Sequence, residues 1–284
     1  MAAAQPAPLQ TVEVGDVRIT FLPDGEAHFS PTGMFPASHP EAWAAHERWL
    51  DDDGRYVTTL GAFLVRTGDR KIVVDLGLGK DVEIEIPDFA RASSGRFLDS
   101  LHAAGVTPEE VDTVVYTHLH SDHAGWTSEN GALTFPNADH LIGADVEFTF
   151  WRENPEAPFA PAQDAVLDAL EGRVTSAGDG HAVAPGVTLV ATPGHTPGHQ
   201  TVVVSSGEQR AVIMGDILHC PVQLVEPEWS VLFDIDPAAA RATREKLLDE
   251  LAAEDVTVAC GHFPEAAFGR VLRGEGKRYW HAGA

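Results

Sequence analysis

One short run of the sequence constrains the fold and chemistry of this chain more than any other feature. Directly after an apolar stretch ending at Tyr116, the chain reads Thr-His-Leu-His-Ser-Asp-His, which contains His118, His120, Asp122 and His123. Alternate side chains of an extended segment share one face, so His118 and His120 can converge on one ion. A turn after His120 can swing Asp122 and His123 onto a second ion.

The residue types in this run indicate the kind of metal. Imidazole and carboxylate together suit zinc, iron or manganese. The run contains no cysteine, which argues against a closed structural zinc site built from thiolates. A single histidine is usually a surface or core residue, but three histidines and an aspartate within six residues favour metal ligation.

Three later positions offer the remaining ligands. His195 follows Gly194, Asp216 follows Gly215 and His262 follows Gly261, each just after an apolar, strand-like stretch. A glycine there lets the backbone approach a metal closely. Each pair alone more often marks a turn, but their order behind the first cluster makes all three candidate ligands.

The pattern of the remaining chain predicts an α/β protein. Residues 1–10 are rich in Ala and Pro and are expected to form a disordered arm ahead of a single domain over 11–284. Residues 30–55 are expected to form a long pocket-shaping segment with one short helix. Predicted strands and helices alternate in two β-rich halves, which favours two sheets face to face with helices outside. The predicted strands are 58–66, 71–75, 113–116, 187–191, 200–205, 211–214 and 257–260. The predicted helices are 94–104 and 237–253.

Composition excludes some classes of function. The formal charge of −24 repels phosphate backbones and anionic membrane surfaces, so we expect neither nucleic acid nor membrane as a partner. Only Cys220 and Cys260 are present, and both lie in apolar surroundings typical of buried free thiols. The sequence shows no export signal and no apolar stretch of membrane-spanning length, which predicts a cytoplasmic location.

From about Thr59 onward, the sequence resembles the metallo-β-lactamase superfamily. The five motifs of that family are matched in order by Asp75 in Val-Val-Asp-Leu-Gly, the run from His118 to His123, His195, Asp216 and His262. The resemblance implies a four-layer αββα sandwich, in which two mixed β-sheets face each other between outer helices.

The same resemblance implies a role for each matched residue. His118, His120 and His195 would hold one metal, Asp122, His123 and His262 the other, and Asp216 would bridge both. Asp75 and His199 would support the ligand loops. Two such ions share a water and acidify it to a nucleophilic hydroxide, and Asp122 would orient that water and carry its proton to the leaving group.

Departures from other relatives favour the branch that resembles lactonases, aryl esterases and organophosphate hydrolases. Asp216 stands where true β-lactamases of the superfamily carry other residues, and His120 stands where diiron flavoproteins tend to carry Glu. The predicted substrate is therefore a lactone or a carboxylic, especially aryl, ester. Candidate pocket residues are Met34, Phe35, Trp43, His219 and Gln223.

Two other enzyme functions stay open at this point. A thioesterase of the glyoxalase II type would need a basic C-terminal region, for which only Arg270, Arg273, Lys277 and Arg278 are available, on a tail that could equally be a solvated helix face. An iron-dependent oxygenase could use the same ligands, since sequence does not fix the metal. We expect two divalent ions, with Zn²⁺ favoured and Mn²⁺ or Fe²⁺ compatible, and leave a homodimer open.

Overall fold

The computed structural model describes residues 3–283. The strands, in chain order, are β1 (Gln10–Val14), β2 (Val17–Phe29), β3 (Tyr56–Thr67), β4 (Arg70–Val74), β5 (Glu83–Ile86), β6 (Ala90–Ser93), β7 (Thr113–Val115), β8 (Ser128–Glu129), β9 (Ala132–Leu133), β10 (Asp139–Gly143), β11 (Val174–Ala177), β12 (Ala182–Ala184), β13 (Val187–Ala191), β14 (Gln200–Ser206), β15 (Gln209–Ile213), β16 (Thr257–Ala259), β17 (Phe268–Gly274) and β18 (Lys277–Ala282). The α-helices are α1 (Pro31–Met34), α2 (Pro40–Trp43), α3 (Phe97–Ala103), α4 (Ser121–Ala124), α5 (Ala144–Glu153) and α6 (Pro237–Leu251). Short 3-10 turns occur at Glu47–Trp49, Pro108–Glu110, Gly215–Ile217 and Pro221–Leu224, and a π-helical turn at Gln163–Asp168.

Two large mixed sheets carry the fold. The first has the strand order β11-β10-β7-β4-β3-β2-β6-β5, with β1 added beside β2, and the second runs from β12 to β18 in sequence order. Strands β4, β7, β10 and β11 are mutually parallel, as are β15 and β16, while the other pairs in the two sheets are antiparallel.

Alternation along single strands shows how the layers stack. On β3, Phe63 and Val65 enter the core shared with the second sheet, whereas Leu64 packs with Phe97 of α3. On β15, Ile213 enters the shared core while Val212 packs on the opposite face with residues of α6. Because successive strand side chains point to opposite faces, each sheet is buried on both. The predicted αββα sandwich is confirmed.

Local chemistry sets the ends of the predicted elements. The Asp236 side chain accepts a hydrogen bond from Ala239 N and Pro237 occupies the first turn, so α6 begins where Asp-Pro predicts. At the other end of the chain, Val14 pairs with Val17 across a tight turn that contains Gly15 at φ +57°. Strands β1 and β2 therefore form a hairpin around this glycine.

The N-terminal residues are a correction to the sequence analysis. Residues 3–10, expected within a disordered arm, pack against the domain, whereas residues 1–2 lie outside the described residues. Ala4 N donates to Leu50 O and Ala7 N donates to Thr59 Oγ1 at 2.8 Å. Ala4 and Ala7 are both buried, so small apolar side chains here fit against the fold rather than extend into solvent.

The C-terminal tail also differs from one expectation. The segment that could have been a solvated helix face forms β17 and β18, a hairpin at the edge of the second sheet. Its three arginines are paired with acidic side chains, Arg273 and Arg278 both with Asp249 and Arg270 with Asp255. Within residues 3–283, no helix is both long and apolar enough to cross a bilayer.

Candidate metal centre

The site lies where strands of both sheets end. Parallel β4 and β7 lead into Asp75 and the His118 run, and parallel β15 and β16 lead into Asp216 and His262. Parallel strands finish at the same edge of a sheet, so loops distant in sequence meet there. The loop between β13 and β14 adds His195.

Three imidazoles form the first group of ligand atoms. His120 Nδ1 lies 2.9 Å from His118 Nε2 and 2.9 Å from His195 Nε2. All three side chains are buried, and the His120 ring packs edge-on against Trp151. The three nitrogens together with Asp216 form a cluster able to hold a metal ion.

A second group lies beside the first. His123 Nε2 and His262 Nε2 are 3.1 Å apart, and Asp122 Oδ2 lies 3.8 Å from the former and 3.7 Å from the latter. Asp122 is the most open member, with 21% of its side chain exposed. These three residues could also hold a metal ion, with Asp122 on its accessible side.

Asp216 stands between the two groups and offers one oxygen to each. Its Oδ2 lies 3.1 Å from His195 Nε2 and 3.7 Å from His118 Nε2. Its Oδ1 lies 3.1 Å from both His123 Nε2 and His262 Nε2. A carboxylate placed in this way can bridge two cations.

Hydrogen bonds on the outer side of four rings fix which nitrogen faces inward. His195 Nδ1 donates to Asp234 Oδ1 at 2.8 Å, His123 Nδ1 donates to Asp75 Oδ2 at 2.9 Å, and His262 Nδ1 donates to Thr59 O at 3.0 Å. In the fourth, Thr117 Oγ1 accepts from His118 Nδ1, because this hydroxyl gives its own proton to Asp75. Each Nε2 therefore directs a lone pair into the centre.

This arrangement fits a metal ion. The lone pairs of His123 Nε2 and His262 Nε2 face each other at 3.1 Å, which is unfavourable unless a cation lies between them. Neighbouring nitrogens around a tetrahedral zinc, with bonds of 2.0–2.1 Å, lie about 3.3 Å apart. Asp216 Oδ1, which faces His123 and His262, is buried without a hydrogen-bond partner. The imidazole and carboxylate donors suit zinc, manganese or iron.

Asp216 favours positive charge on several of the histidines around it, as the pKa shifts of these histidines show. Burial lowers the pKa of His195, but Asp216 and Asp234 outweigh burial and raise it to about 9. Burial also lowers the pKa of His123 and that of His262, but Asp216 and Asp122 together with other nearby groups outweigh burial and raise both. Burial, followed by neighbouring histidines, lowers the pKa of His118 well below its ordinary value. Protons and metal cations therefore compete for the same inward nitrogens.

Asp75 and His199 lie behind the ligand atoms. Asp75 Oδ1 accepts from Thr117 N at 2.7 Å, so this carboxylate holds the start of the His118 run as well as the His123 ring. His199 Nε2 accepts from Asp216 N at 2.9 Å. Gly215, at φ +54°, makes room for His199, because an added Cβ would lie 2.6 Å from His199 Nε2.

An apolar cleft opens over the centre. The described residues that line it are Phe29, Met34, Thr58, Leu60, His120, Asp122, Phe159, Asp216, His219, Phe233 and His262. Met34 and His219, two of the pocket residues predicted from the sequence, are in this lining. His219 Nε2 lies 2.9 Å from Asp216 Oδ2, and its ring stacks on that of His262.

The other three predicted pocket residues do not line the cleft, which corrects that prediction. Phe35 and Trp43 are buried against Tyr56 and Trp229 in a separate aromatic cluster. Gln223 is buried with its Oε1 accepting from His219 N and its Nε2 donating to Trp229 O. Their own packing and hydrogen bonds turn these side chains away from the opening.

Sequence reasoning missed several residues that shape the centre. Asp234 and Thr59 hold outer ring nitrogens, while Phe159 and Phe233 pack at 4.2 Å between ring centroids in the cleft wall. Asp234 lies two residues before Asp236, the residue that caps α6. No local signal in the sequence marks the other three.

Comparisons with known proteins agree with this geometry. A family model described as the metallo-beta-lactamase superfamily matches residues 62–262. An N-acyl homoserine lactonase of Bacillus thuringiensis is 26% identical over 213 residues, which cover 70% of this chain and 79% of that protein. Two solved structures share the fold.

The structure of AidC, described as a dizinc quorum-quenching lactonase with a product bound, is 22% identical and has a TM-score of 0.84, covering 98% of each chain. The structure of AbOPH, described as a hydrolase in the beta lactamase superfamily, is 29% identical and has a TM-score of 0.83, covering 99% of each chain. The matched family region holds all seven candidate ligands, and this chain therefore belongs to the metallo-β-lactamase superfamily.

Proposed function

We propose that this protein is a dinuclear metal hydrolase that opens the ring of a lactone, with N-acyl homoserine lactones as its substrate class. The observation that carries the proposal is the pair of buried ligand groups joined by Asp216 at the floor of an apolar cleft. The names of the Bacillus thuringiensis relative and of AidC support the choice of lactone.

We assign the ligands by the two groups in which their atoms cluster, with Asp216 in contact with both groups. One ion would be held by His118, His120 and His195, the other by Asp122, His123 and His262, with Asp216 shared between them. Zn²⁺ is the proposed metal, supported by the donor set and by the dizinc description of AidC. Two divalent ions held by these residues would supply a hydroxide at neutral pH and would polarise the scissile carbonyl oxygen.

Asp122 is the proposed proton carrier. Its carboxylate is the ligand group with the greatest exposure to the cleft, so it can face both the attacking water and the ring oxygen that leaves. Taking a proton from the first and giving it to the second is general acid–base catalysis. The ring opens to a carboxylic acid and an alcohol, with no redox change.

The cleft suits an amphiphilic substrate. A lactone ring would contact the polar floor at Asp122 and His219, while an acyl chain would lie along Phe29, Met34 and Phe233. Apolar walls with a few convergent polar groups are typical of small-molecule sites. This division of the lining is the feature expected for an acylated lactone.

The alternatives are less well supported. Three of the four basic C-terminal side chains considered for an anionic thioester already pair with carboxylates, Arg273 and Arg278 with Asp249 and Arg270 with Asp255. An iron-dependent oxygenase would use the same ligands, but the relatives are lactonases. We retain neither as a second candidate.

The test is a substrate panel on zinc-, manganese- and iron-loaded protein. Lactones with and without N-acyl chains, aryl esters, thioesters and phosphotriesters would be compared by release of the proton that accompanies ring opening or ester cleavage. We expect N-acyl homoserine lactones to give the highest kcat/KM. A higher value for a thioester, or oxygen uptake by the iron form, would contradict the proposal.

Three variants test the roles assigned to the metal-site residues. Asp122→Asn should lower kcat by about 10²- to 10⁴-fold, the usual range for loss of a general acid–base group. His118→Ala should lower activity and metal content together. His102→Ala, in which an exposed histidine of α3 is removed, is the matched control and should retain full activity. Full activity of His118→Ala would rule out the assigned site.

A further inference from the structure

Glu147 is a fully buried carboxylate on α5 that none of the proposed chemistry uses. Its Oε1 accepts from Leu119 N at 2.9 Å and from Trp151 Nε1 at 2.8 Å. Its Oε2 accepts from Thr196 Oγ1 at 2.7 Å and from Gly198 N at 2.9 Å. Four donors thus fill the acceptor positions that a single carboxylate offers.

Three of these four donors belong to the segments that carry the three-histidine group. Leu119 stands between His118 and His120 in the loop after β7, which is a strand of the first sheet. Thr196 follows His195 in the loop between β13 and β14, which are strands of the second sheet. Glu147 therefore ties together two ligand loops that come from different layers of the fold.

The surroundings of Glu147 leave little freedom. A Cβ added at Gly198 would lie 2.5 Å from Glu147 Cβ, so the loop passes directly over the side chain. Trp151, one turn later on α5, donates to the carboxylate and packs its ring against His120. The same helix thus contacts the backbone beside His120 and one face of its ring.

We propose that Glu147 is the positioning residue that sets the relative placement of His118, His120 and His195 as a metal site. The inference rests on the metal centre assigned above, and it does not depend on which substrate is hydrolysed. Groups that orient ligands from outside typically change metal affinity by 10- to 100-fold when they are removed.

The informative substitution is Glu147→Gln, because it keeps the size of the side chain and changes its acceptor pattern. An amide has one oxygen and one NH₂ group, so it can satisfy the donors on one oxygen position only. At the other position the NH₂ would face either Leu119 N and Trp151 Nε1, or Thr196 Oγ1 and Gly198 N. One ligand loop would lose its hold in either orientation.

The measurement is binding of Co²⁺ to metal-free full-length protein, followed by its visible absorption, together with zinc content after equilibration with limiting Zn²⁺. We expect Glu147→Gln to bind the ion of the three-histidine group about 10- to 100-fold more weakly. We also expect an altered cobalt spectrum, which a loss of global stability alone would not produce.

Asp24→Asn is the matched control. Asp24 is also fully buried and accepts from four backbone N–H groups, those of Leu78, Gly79, Gly95 and Phe97, and from Trp126 Nε1. None of these donors lies in the loops that carry His118, His120 or His195. This variant should lose thermal stability while its cobalt spectrum and affinity at the three-histidine group stay those of the wild type.

Thr196→Val is a milder variant that removes one donor to Glu147 Oε2 if the glutamine variant does not fold. It should weaken Co²⁺ binding in the same direction and by a smaller factor. Wild-type affinity and spectrum in either soluble variant, beside a wild type that binds two ions, would overturn the role of Glu147 alone. A wild type that binds no ion would overturn this inference and the metal centre together.

Discussion

The buried histidines around Asp216 are of two kinds, according to what holds the outer side of each ring. His118, His123, His195 and His262 have an outer partner, whereas His219 Nε2 faces Asp216 Oδ2 at 2.9 Å and His219 Nδ1 has no hydrogen-bond partner. Only 2% of His219 is exposed. A buried polar group without a partner costs about 1–3 kcal/mol, which a bound substrate oxygen would offset.

His219→Ala should therefore lower kcat/KM by about 10²-fold or more, in the range seen when a donor to a developing oxyanion is removed. The content of bound metal should stay at two ions per chain, because His219 is not one of the assigned ligands. Steady-state kinetics and elemental analysis on one preparation test both statements. Loss of an ion would instead make His219 a ligand, since it also clusters with Asp216 and His262.

At the scale of single residues, the sequence predicts the metal ligands better than it predicts the groups that hydrogen-bond to those ligands. The seven candidate ligands follow strand ends in a recognisable order, and the structure brings them together. Their outer partners could not be predicted, because Asp234 is 39 residues from His195 and Thr59 is 203 residues from His262. Only the folded sheets bring those groups into contact.

The sequence predicts helices and strands well where their buried faces are apolar. It does not predict those in which polar side chains are buried or apolar side chains are exposed. Strands β3, β7, β13, β14 and β15 were expected close to their observed bounds. Helix α5 was not, since its buried face includes Glu147, and β18 was not, because most of its side chains are at least partly exposed. A polar residue that is buried because it forms hydrogen bonds interrupts the apolar periodicity on which such predictions rely.

The segment from α1 to the turn after α2 builds a second core more than it builds the cleft. Trp43 packs on Phe35, Tyr56 and Trp229 at centroid distances of 5.3–6.3 Å, and its Nε1 donates to Ser38 Oγ. Large aromatic side chains gain most by complete burial, so only Met34 of the three side chains predicted here reaches the cleft.

Trp43→Ala should therefore lower the free energy of unfolding by about 3–5 kcal/mol, as core Trp→Ala changes do. Its KM for the lactone should change little, because this ring does not line the cleft. Phe233→Ala is the matched comparison and should mainly raise KM. Urea denaturation and steady-state kinetics on both variants test these expectations. A raised KM with unchanged stability in Trp43→Ala would place Trp43 in the substrate site.

At the scale of the whole molecule, the order of strands and helices was enough to predict two sheets with outer helices. The site is therefore assembled between layers, with His118 from the first sheet and His195 and Asp216 from the second. The assignment of the chain to a single domain and the absence of a nucleic-acid partner stay predictions. The latter rests on the formal charge of −24.

Metal removal should destabilise the whole molecule, because the ions would join loops from both sheets. An ion at 100 times its Kd stabilises the native state by about 2.7 kcal/mol. For a chain of this size, that corresponds to a rise in Tm of about 5–10 °C. Thermal unfolding before and after chelation, and after zinc is restored, measures it.

His118→Ala should show a smaller gain from zinc than the wild type in that experiment. A Tm that does not respond to chelation in protein known to contain zinc would argue that the centre contributes nothing to the fold.

The packing of the N-terminal residues has a consequence for the order in which the molecule forms. Pro6 pairs with Pro264, Glu265 N donates to Gln5 O, and Ala7 N donates to Thr59 Oγ1, beside the carbonyl that holds His262. The first two of these contacts cannot form until residues 264 and 265 have been made. A nascent chain that still lacks His262 carries six of the seven candidate ligands, and the last ligand and the N-terminal closure arrive together.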